Sequence, residues 1–472
     1  MTPLCVSEVE FHPLSFVESS VRLFSWHGSL YRGVGAERSA LYRRLVAERF
    51  VHEWVERGWL IETEIAEVQL EGYGLVLHHR RIPFVSYPYE WCAEMLKAAA
   101  LLVLDFEIEL SRHDLVLSDA HPWNVLFEGV RPVFVDFGSI APADGTGRWA
   151  ASDEFCRFFL NPLRLFAQGR TRIVRWLLHD YDSGVLWSDL HALGHRQLGM
   201  QLREASRALY THAKQWVPAS VRPLVKPVVD RMKAQFPAGA QGLRLTALSR
   251  VREEVAAMAF PPQRTVWTEY YKGAFPPLVP SPDWTPKHHN VFRVLSELRP
   301  ASVLDVAANR GWYAQLAAEL GSEVVAFDVD EPCVNQLFLD AHRAKRSILP
   351  LVMDFRNPSP GYGLCHQWFA PATQRLRCDM VMALAITHHL VFKQHLTFEQ
   401  IVQGLAMLTT RWLLVEFIPA EDQYVREWGS VRNAWYTLEG FKAALERTFR
   451  HVNLYLSAPE PRVLLLCEKR AP

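Results

Sequence analysis

The second half of the chain constrains the fold most. From residue 303 onward, short apolar runs of strand length alternate with segments of helical spacing. An acidic residue stands in or near the end of each of the first three runs. Residues 303–306 read as a buried strand and 312–320 as a helix; 323–327 and 332–343 repeat the pair. Residues 349–353, 380–384 and 412–417 read as the third, fourth and fifth strands. A helix over 438–448 follows, then strands over 451–456 and 462–467, whose short connection makes them an antiparallel hairpin. Parallel strands need a crossover, so this alternation predicts a mostly parallel sheet with helices on both faces. Such sheets bind ligands beyond the carboxyl ends of their strands, where the strand order reverses.

After the first run the chain reads Asp305-Val306-Ala307-Ala308-Asn309-Arg310-Gly311. Small residues there let the backbone turn tightly and approach a ligand. Asp328 closes the second run, about 20 positions beyond the turn, a spacing at which a carboxylate accepts hydrogen bonds from ribose hydroxyls. Asp354 and Phe355 close the third run. Turn, acids and terminal hairpin together resemble the class I S-adenosylmethionine-dependent methyltransferases, over residues 285–472. The resemblance implies an α/β fold with a Rossmann-like seven-stranded methyltransferase sheet and S-adenosylmethionine as cofactor. It places Asp305 and Ala307 on the methionine side, within a turn that includes Asn309 and Gly311. Asp328 would hold the ribose and Asp354 the adenine amine, with Phe355 beside the ring. The turn departs from the family's usual form, because alanines and Asn309 stand where glycines and Cys are common.

Methyl acceptors in that family lie near the segment after the fourth strand, here Ala383-Leu384-Ala385-Ile386-Thr387-His388-His389-Leu390. His388 and His389 are candidate general bases for a hydroxyl acceptor; paired histidines there also occur in structural settings. Glu416, at the end of the fifth run, is a second candidate base or substrate contact. The Asn-Pro-Pro-Tyr type of motif used on bases is absent, which argues against nucleobase N-methylation. Trp267, Tyr270, Tyr271 and Trp312 are candidates to cover the cofactor sulfonium, or are core aromatics.

The first part of the chain has a different pattern. Residues 21–26 and 29–34 read as a hairpin turned by His27-Gly28. Residues 37–57 and 87–110 read as helices, with strand-like material over 61–77 and mostly helix over 151–255. Between them stand Leu117-Ser118-Asp119-Ala120-His121-Pro122-Trp123-Asn124 and Val135-Asp136-Phe137-Gly138. This spacing resembles the catalytic loop of aminoglycoside and small-molecule kinases, and implies an α+β kinase-like domain. Asp119 would accept a hydroxyl proton, and Asn124 and Asp136 would bind magnesium and, through it, ATP. Two parts of that machinery are missing: Lys97 is the only lysine before Asp119 and lies in the helix leading to the loop, and no glycine-rich nucleotide loop precedes it. A degenerate, kinase-like domain is therefore expected.

The order of the two parts resembles bacterial NoeA-like methyltransferases. The expected division is a kinase-like domain over 1–260, a proline-rich linker over 261–284 and a methyltransferase domain over 285–472. The chain has 472 residues, 49% of them hydrophobic, enough for more than one core. Lys plus Arg equals Asp plus Glu at 51 each, which gives no support to bulk nucleic-acid binding. A basic cluster, Lys214, Arg222, Lys226, Arg231 and Lys233, reads as a phosphate or carboxylate contact or a solvated helix face. Seven scattered cysteines argue against a disulfide framework and a cysteine zinc site, and no apolar run reaches the roughly 18 residues that span a bilayer. A cytoplasmic location follows as the expectation. Three readings stay open: a methyltransferase on a small-molecule or glycan acceptor whose kinase-like domain positions substrate, a bifunctional kinase–methyltransferase acting on a sugar or natural product, and a non-catalytic scaffold. A protein partner is compatible with each.

Overall fold

The computed structural model describes residues 2–16, 20–194, 237–270, 275–428 and 434–470. The basic cluster from Lys214 to Lys233, and Tyr271, lie outside the described residues. The chain forms two compact units: one gathers Met1–Met95, Leu126–Val135 and Pro262–Pro472, and the other gathers Leu96–Val125 and Asp136–Pro261.

The first unit contains the predicted α/β sheet. Its strands are β1 (Ser302–Val306), β2 (Glu323–Asp328), β3 (Ile348–Val352), β4 (Cys378–Ala383), β5 (Thr409–Phe417), β6 (Phe449–Leu456) and β7 (Val463–Lys469). They lie in the order β3-β2-β1-β4-β5-β7-β6. The first five are parallel, and β7 runs antiparallel between β5 and β6. This is the Rossmann-like fold class read from the sequence. The order reverses between β1 and β4, which sets the ligand crevice beyond Val306 and Ala383. The strands are apolar on both faces: Val303, Leu304, Val325, Ala326, Leu351, Val381, Met382, Leu413 and Leu414 are buried. Such strands need helices on both sides.

The same unit holds an antiparallel sheet from the amino-terminal residues. Val21–Trp26 and Ser29–Val34 pair in register, with His27 and Gly28 in the left-handed region (φ 48° and 80°), as a two-residue hairpin requires. The helix expected over 37–57 is two helices, Ala36–Ala47 and Arg49–Glu56. Glu48 breaks it with extended backbone (ψ 131°). The apolar spacing ran through the break because both helices bury one face.

Residues 85–94 pack on the residues around the Rossmann-like sheet. Arg375 pairs with Glu90, both side chains almost fully buried, and its guanidinium donates to the Val85 carbonyl (2.7 Å) and lies over the Tyr87 ring. The Ala370 N–H donates to Tyr87 Oη (3.0 Å). The Ala93–Arg112 helix takes its amino-terminal cap from far away in sequence. The Ala93 N–H donates to Glu331 Oε1 (3.1 Å) and the Glu94 N–H to Asn335 Oδ1 (3.2 Å). These acceptors satisfy two of the helix's orphan donors.

Residues 262–285 also belong to the first unit. Trp284 Nε1 donates to the Pro277 carbonyl and Trp312 Nε1 to the Pro276 carbonyl, both at 2.8 Å. Prolines supply acceptors without needing partners for an N–H, which suits a strap lying on an apolar surface.

The second unit is built on a buried ion pair. Glu107 is fully buried; Arg244, from the Pro237–Ala257 helix, donates to its Oε1 (2.8 Å) and to the Leu115 carbonyl (2.9 Å). The Leu117 N–H donates to Glu107 Oε2 (2.8 Å). Burial still pushes the Glu107 carboxyl up to about 7. Among the described residues no helix is long and apolar enough to cross a membrane. All seven cysteines are free.

Leaving the buried Glu90 carboxylate without its partner should be costly. Arg375→Ala is expected to lower stability by about 3–5 kcal/mol, read as a drop in the urea midpoint of the full chain. A midpoint equal to that of the parent protein would show that the pair is not needed.

Candidate functional site

The turn after β1 is strained where glycine is missing. Ala307 (φ 57°), Asn309 (φ 52°) and Gly311 (φ 70°) all lie in the left-handed region. For the alanine this costs roughly 1–2 kcal/mol, and asparagine tolerates it better. The strain is held by hydrogen bonds: the Ala308 N–H donates to the Phe327 carbonyl (3.0 Å) and the Gly311 N–H to the Ala308 carbonyl (2.8 Å). At Gly311 a Cβ would lie 2.6 Å from Leu337 Cδ1, so a larger residue would have to displace that buried leucine as well as adopt the left-handed backbone. Strained backbone of this kind concentrates at ligand sites.

Three acids line the carboxyl ends of β1, β2 and β3. Asp305 is buried, and burial pushes its carboxyl up to about 7 against the opposing charge of Lys287. Asp328 ends β2. Its Oδ2 accepts the Asn309 N–H (2.7 Å) and its Oδ1 the Asp330 N–H (2.9 Å). Burial raises this carboxyl, while the backbone donors oppose the rise. The Val329 N–H also bears on it, so three backbone donors share its two oxygens. Asp354 is held by Arg356, whose Nη2 donates to Oδ2 (2.5 Å) and whose Nε lies 3.1–3.2 Å from both oxygens. Phe355 packs on Gly404, where a Cβ would approach its Cζ to 2.8 Å. Asp328 and the turn at Ala307, Asn309 and Gly311 therefore meet at the ends of β1 and β2, with Asp305 buried in β1, while Asp354 is engaged by its neighbour.

The segment after β4 carries His388 and His389 on the Thr387–Phe392 helix. His388 is buried; burial and the charges of His389, Arg462 and Lys287 push its imidazole down to about 2. His389 is half-buried and pushed down to about 4, chiefly by desolvation. Trp428 stacks parallel to His388 (5.3 Å, 8°) and lies 4.7 Å from His389. Trp267 meets His389 edge-on (5.2 Å), and its carbonyl accepts from Asn309 Nδ2 (3.1 Å). Tyr270 contacts Arg462 through its hydroxyl. Trp312 packs instead among Trp284, His288 and Tyr313.

Glu416 is fully enclosed. Lys287 Nζ donates to its Oε2 (2.6 Å) and Ser457 Oγ to its Oε1 (2.5 Å). Beside it Arg462 Nε donates to Asp422 Oδ2 (2.8 Å), both side chains buried. Lys287, Asp422, Trp428 and Arg462 were not marked from the sequence. They are far apart in the chain and carry no local pattern, so only the closing of the sheet brings them together.

The second unit holds the other predicted cluster. The strands Leu115–Leu117 and Ile140–Pro142 pair antiparallel, bringing the Asp119 loop beside the Asp136-Phe137-Gly138 segment. Asp119 Oδ1 accepts the His121 N–H (2.8 Å), Glu154 Oε2 accepts the Ala120 N–H (2.7 Å), and Asp136 Oδ1 accepts the Gly138 N–H (3.2 Å). Burial and the nearby Asp119 charge push Glu154 up to about 7. Asn124 Nδ2 is buried without a partner. Lys97 Nζ is spent on the Met258 carbonyl (2.7 Å). Among the described residues no group of three or more His, Cys, Asp or Glu is placed to hold a metal ion. Away from both clusters, a cleft of about 600 Å³ lined by Phe84, Phe127, Arg131, His342 and Lys345 opens at the amino-terminal ends of β2 and β3.

No family model matches the chain. Along 475 aligned residues it is 28% identical to nodulation protein NoeA of Rhizobium meliloti (strain 1021), covering 96% of this chain and 95% of the relative. Solved structures with similarity include the bifunctional kinase-methyltransferase WbdD (15% identity, 38% of this chain, 37% of that chain, TM-score 0.29). Others are magnesium protoporphyrin IX methyltransferase ChlM of Synechocystis with bound SAM (15%, 39% and 79%, TM-score 0.28) and TehB of Haemophilus influenzae (13%, 40% and 64%, TM-score 0.30). The chain spans less than two-fifths of the WbdD chain it matches. The fold class rests on the strand order and register themselves.

Asp305 makes stability pH-dependent. A carboxyl near 4 when unfolded and about 7 when folded binds more protons in the native state between those values. Its contribution therefore falls as pH rises through that window and is level above it. Relative to the parent, Asp305→Asn should gain up to about 3 kcal/mol between pH 5 and pH 8, measured as paired urea midpoints. A pH-independent difference between the two proteins would count against this placement of the proton.

Proposed function

We propose that the chain is an S-adenosylmethionine-dependent methyltransferase acting on a small-molecule or glycan acceptor. The observation that carries this reading is the order β3-β2-β1-β4-β5-β7-β6, with Asp305, Asp328 and Asp354 at the ends of β1, β2 and β3 beside a left-handed turn. A terminal antiparallel strand inserted next to β5 sets this sheet apart from a purely parallel dinucleotide fold. Residues 285–472 form the catalytic domain in this reading, and residues 1–260 a kinase-like domain that positions the acceptor.

The residues of the crevice fit the cofactor. Asp328 would be the acceptor for ribose hydroxyls, and the turn at Ala307, Asn309 and Gly311 lets the backbone approach a methionine moiety. Asp305 supplies a buried acidic group near the place where a positive sulfonium would lie. Asp354 and Phe355 would be the residues for the adenine amine and ring, with Arg356 now holding the Asp354 carboxylate. The cofactor supplies an electrophilic methyl group. The protein's part is to bind, align and exclude water, since in-line transfer depends on positioning and desolvation.

A second reading adds phosphotransfer at Asp119, Asn124 and Asp136, with ATP and magnesium. The pairing of their two strands and the unpartnered Asn124 amide favour it; the engagement of Lys97 elsewhere weighs against it. Magnesium-dependent ATP turnover that disappears in Asp119→Ala and Asp136→Ala would establish it, and absence of ATP binding would remove it.

Calorimetric titration of the full chain with S-adenosylmethionine, or with its demethylated product, tests the first reading. Binding at micromolar Kd or tighter is expected. Asp328→Ala should weaken it about 10- to 100-fold, the loss of hydrogen bonds to a charged acceptor. No heat of binding at hundreds of micromolar ligand would overturn the reading.

A further inference from the structure

The cleft at the amino-terminal ends of β2 and β3 is lined entirely by residues of the first unit. β2 carries Glu323 at this end and Asp328 at the other, about 16 Å apart along an extended strand. A ligand seated here is out of reach of the crevice, so it is not the methyl acceptor.

Two walls hold the cleft open. One is the hairpin of strands Val125–Glu128 and Arg131–Phe134. Gly129 in its turn is left-handed (φ 57°), and a Cβ there would lie 2.9 Å from Ser347 Cα and 3.0 Å from the Ile348 nitrogen. Those are backbone atoms that cannot swing aside, so the turn sits directly on the start of β3. The other wall is the end of the Glu331–Ala344 helix. There His342 lies against Phe338, and Phe338 meets Phe127 edge-on (6.4 Å). Phe127, Val130, Val324 and Leu349 form a buried apolar floor, with Phe84 half-buried beside it.

Most charges around this floor are already paired. Glu128 takes both Arg80 and Arg131, and Arg346 is bound by Glu319 (2.6 Å) and by Gln315 Oε1 (2.8 Å). Two lining groups differ: among the described residues, neither Lys345 nor Glu323 enters an ion pair. They stand at neighbouring strand starts. The Val324 N–H donates to the Ser347 carbonyl (3.2 Å), which sets Glu323 beside the residues that follow Lys345. Lys345 is itself left-handed (φ 55°), at a helix end where glycine is the usual residue.

An apolar floor rimmed by one unpaired ammonium and one unpaired carboxylate selects its ligand. An anion alone would meet Glu323 as a like charge, and a cation alone would meet Lys345. An uncharged molecule would use neither. We propose that the cleft binds a small zwitterion with an apolar body, of which an aromatic α-amino acid is the simplest form. Lys345 takes its carboxylate, Glu323 its ammonium, and the floor of Phe127 and Leu349 its side chain. A mostly apolar hollow with a few converging polar groups is the usual make-up of a small-molecule site. This site stands independently of the methyltransferase reading.

The test titrates the full chain, by calorimetry or ligand-detected NMR, with three probes. They are L-phenylalanine, 3-phenylpropionate, which lacks the ammonium, and 2-phenylethylamine, which lacks the carboxylate. Phenylalanine should bind with a Kd of about 1 mM or tighter, and each truncated probe about fivefold more weakly. Lys345 and Glu323 are exposed, so Lys345→Gln and Glu323→Gln should unfold at the parent's urea midpoint. In Lys345→Gln the advantage of phenylalanine over phenylethylamine should vanish, because the carboxylate has lost its partner. In Glu323→Gln its advantage over phenylpropionate should vanish for the matching reason. Val130→Trp, which fills the cleft, should remove binding of all three. No phenylalanine binding at about 10 mM overturns the proposal. So does a truncated probe that binds the parent as tightly as phenylalanine, or an advantage that persists in the Gln variant predicted to lose it. Binding that survives Val130→Trp overturns it as well, since the ligand then sits elsewhere.

Discussion

The buried carboxylate of Glu416 organises the crevice end of the sheet. It stands near the end of β5 with no exposure to water, where an unpaired charge would be prohibitively expensive. Its two oxygens draw in Lys287 from the helix that precedes β1 and Ser457 from the loop between β6 and β7. One carboxylate therefore fastens the start and the end of the Rossmann-like sheet to its middle. Lys287 in turn lies within electrostatic reach of Asp305 and His388, so the charge balance of the whole crevice passes through this pair. Buried pairs add little net stability, but they tolerate few alternative arrangements. Here that intolerance fixes which groups are left facing the ligand space.

The amino-terminal residues 85–94 show the same economy. Arg375 and Glu90 neutralise each other out of water, and Glu331 and Asn335 complete the first turn of a helix that begins at Ala93. Glu331 opens the helix that follows Asp328, so the residue that caps one element is itself in the first turn of another. Residues far apart in the chain thus complete one another's hydrogen bonding.

The sheet was legible because its signal is local. Buried parallel strands read as continuous apolar runs, and each is separated from the next by a helix of ordinary length. The acids were legible for the same reason, since Asp305, Asp328 and Asp354 stand at strand ends that the pattern marks. The break at Glu48 escaped because apolar spacing reports which face is buried and not whether the backbone is continuous. The proline passage read as a linker because prolines disfavour regular structure, yet Trp284 and Trp312 use its carbonyls as acceptors. The pairs Lys287–Glu416 and Arg462–Asp422 had no sequence signal at all. An isolated lysine or arginine reads as surface until the partner that removes its charge is known.

The acids of the crevice differ in what they are bound to, and that difference divides it into two halves. Around β1 and β2, Asp328 is held by backbone N–H donors, which satisfy a carboxylate without cancelling its charge, while burial pushes Asp305 up to about 7 against the charge of Lys287. Around β5 and β7, Glu416 and Asp422 are each matched by a cation. The second half is electrically closed and walled by Trp267, Trp428 and the two histidines. Opening either of those internal pairs would strand a buried charge, so the two halves differ in how freely their acids can be given a new partner.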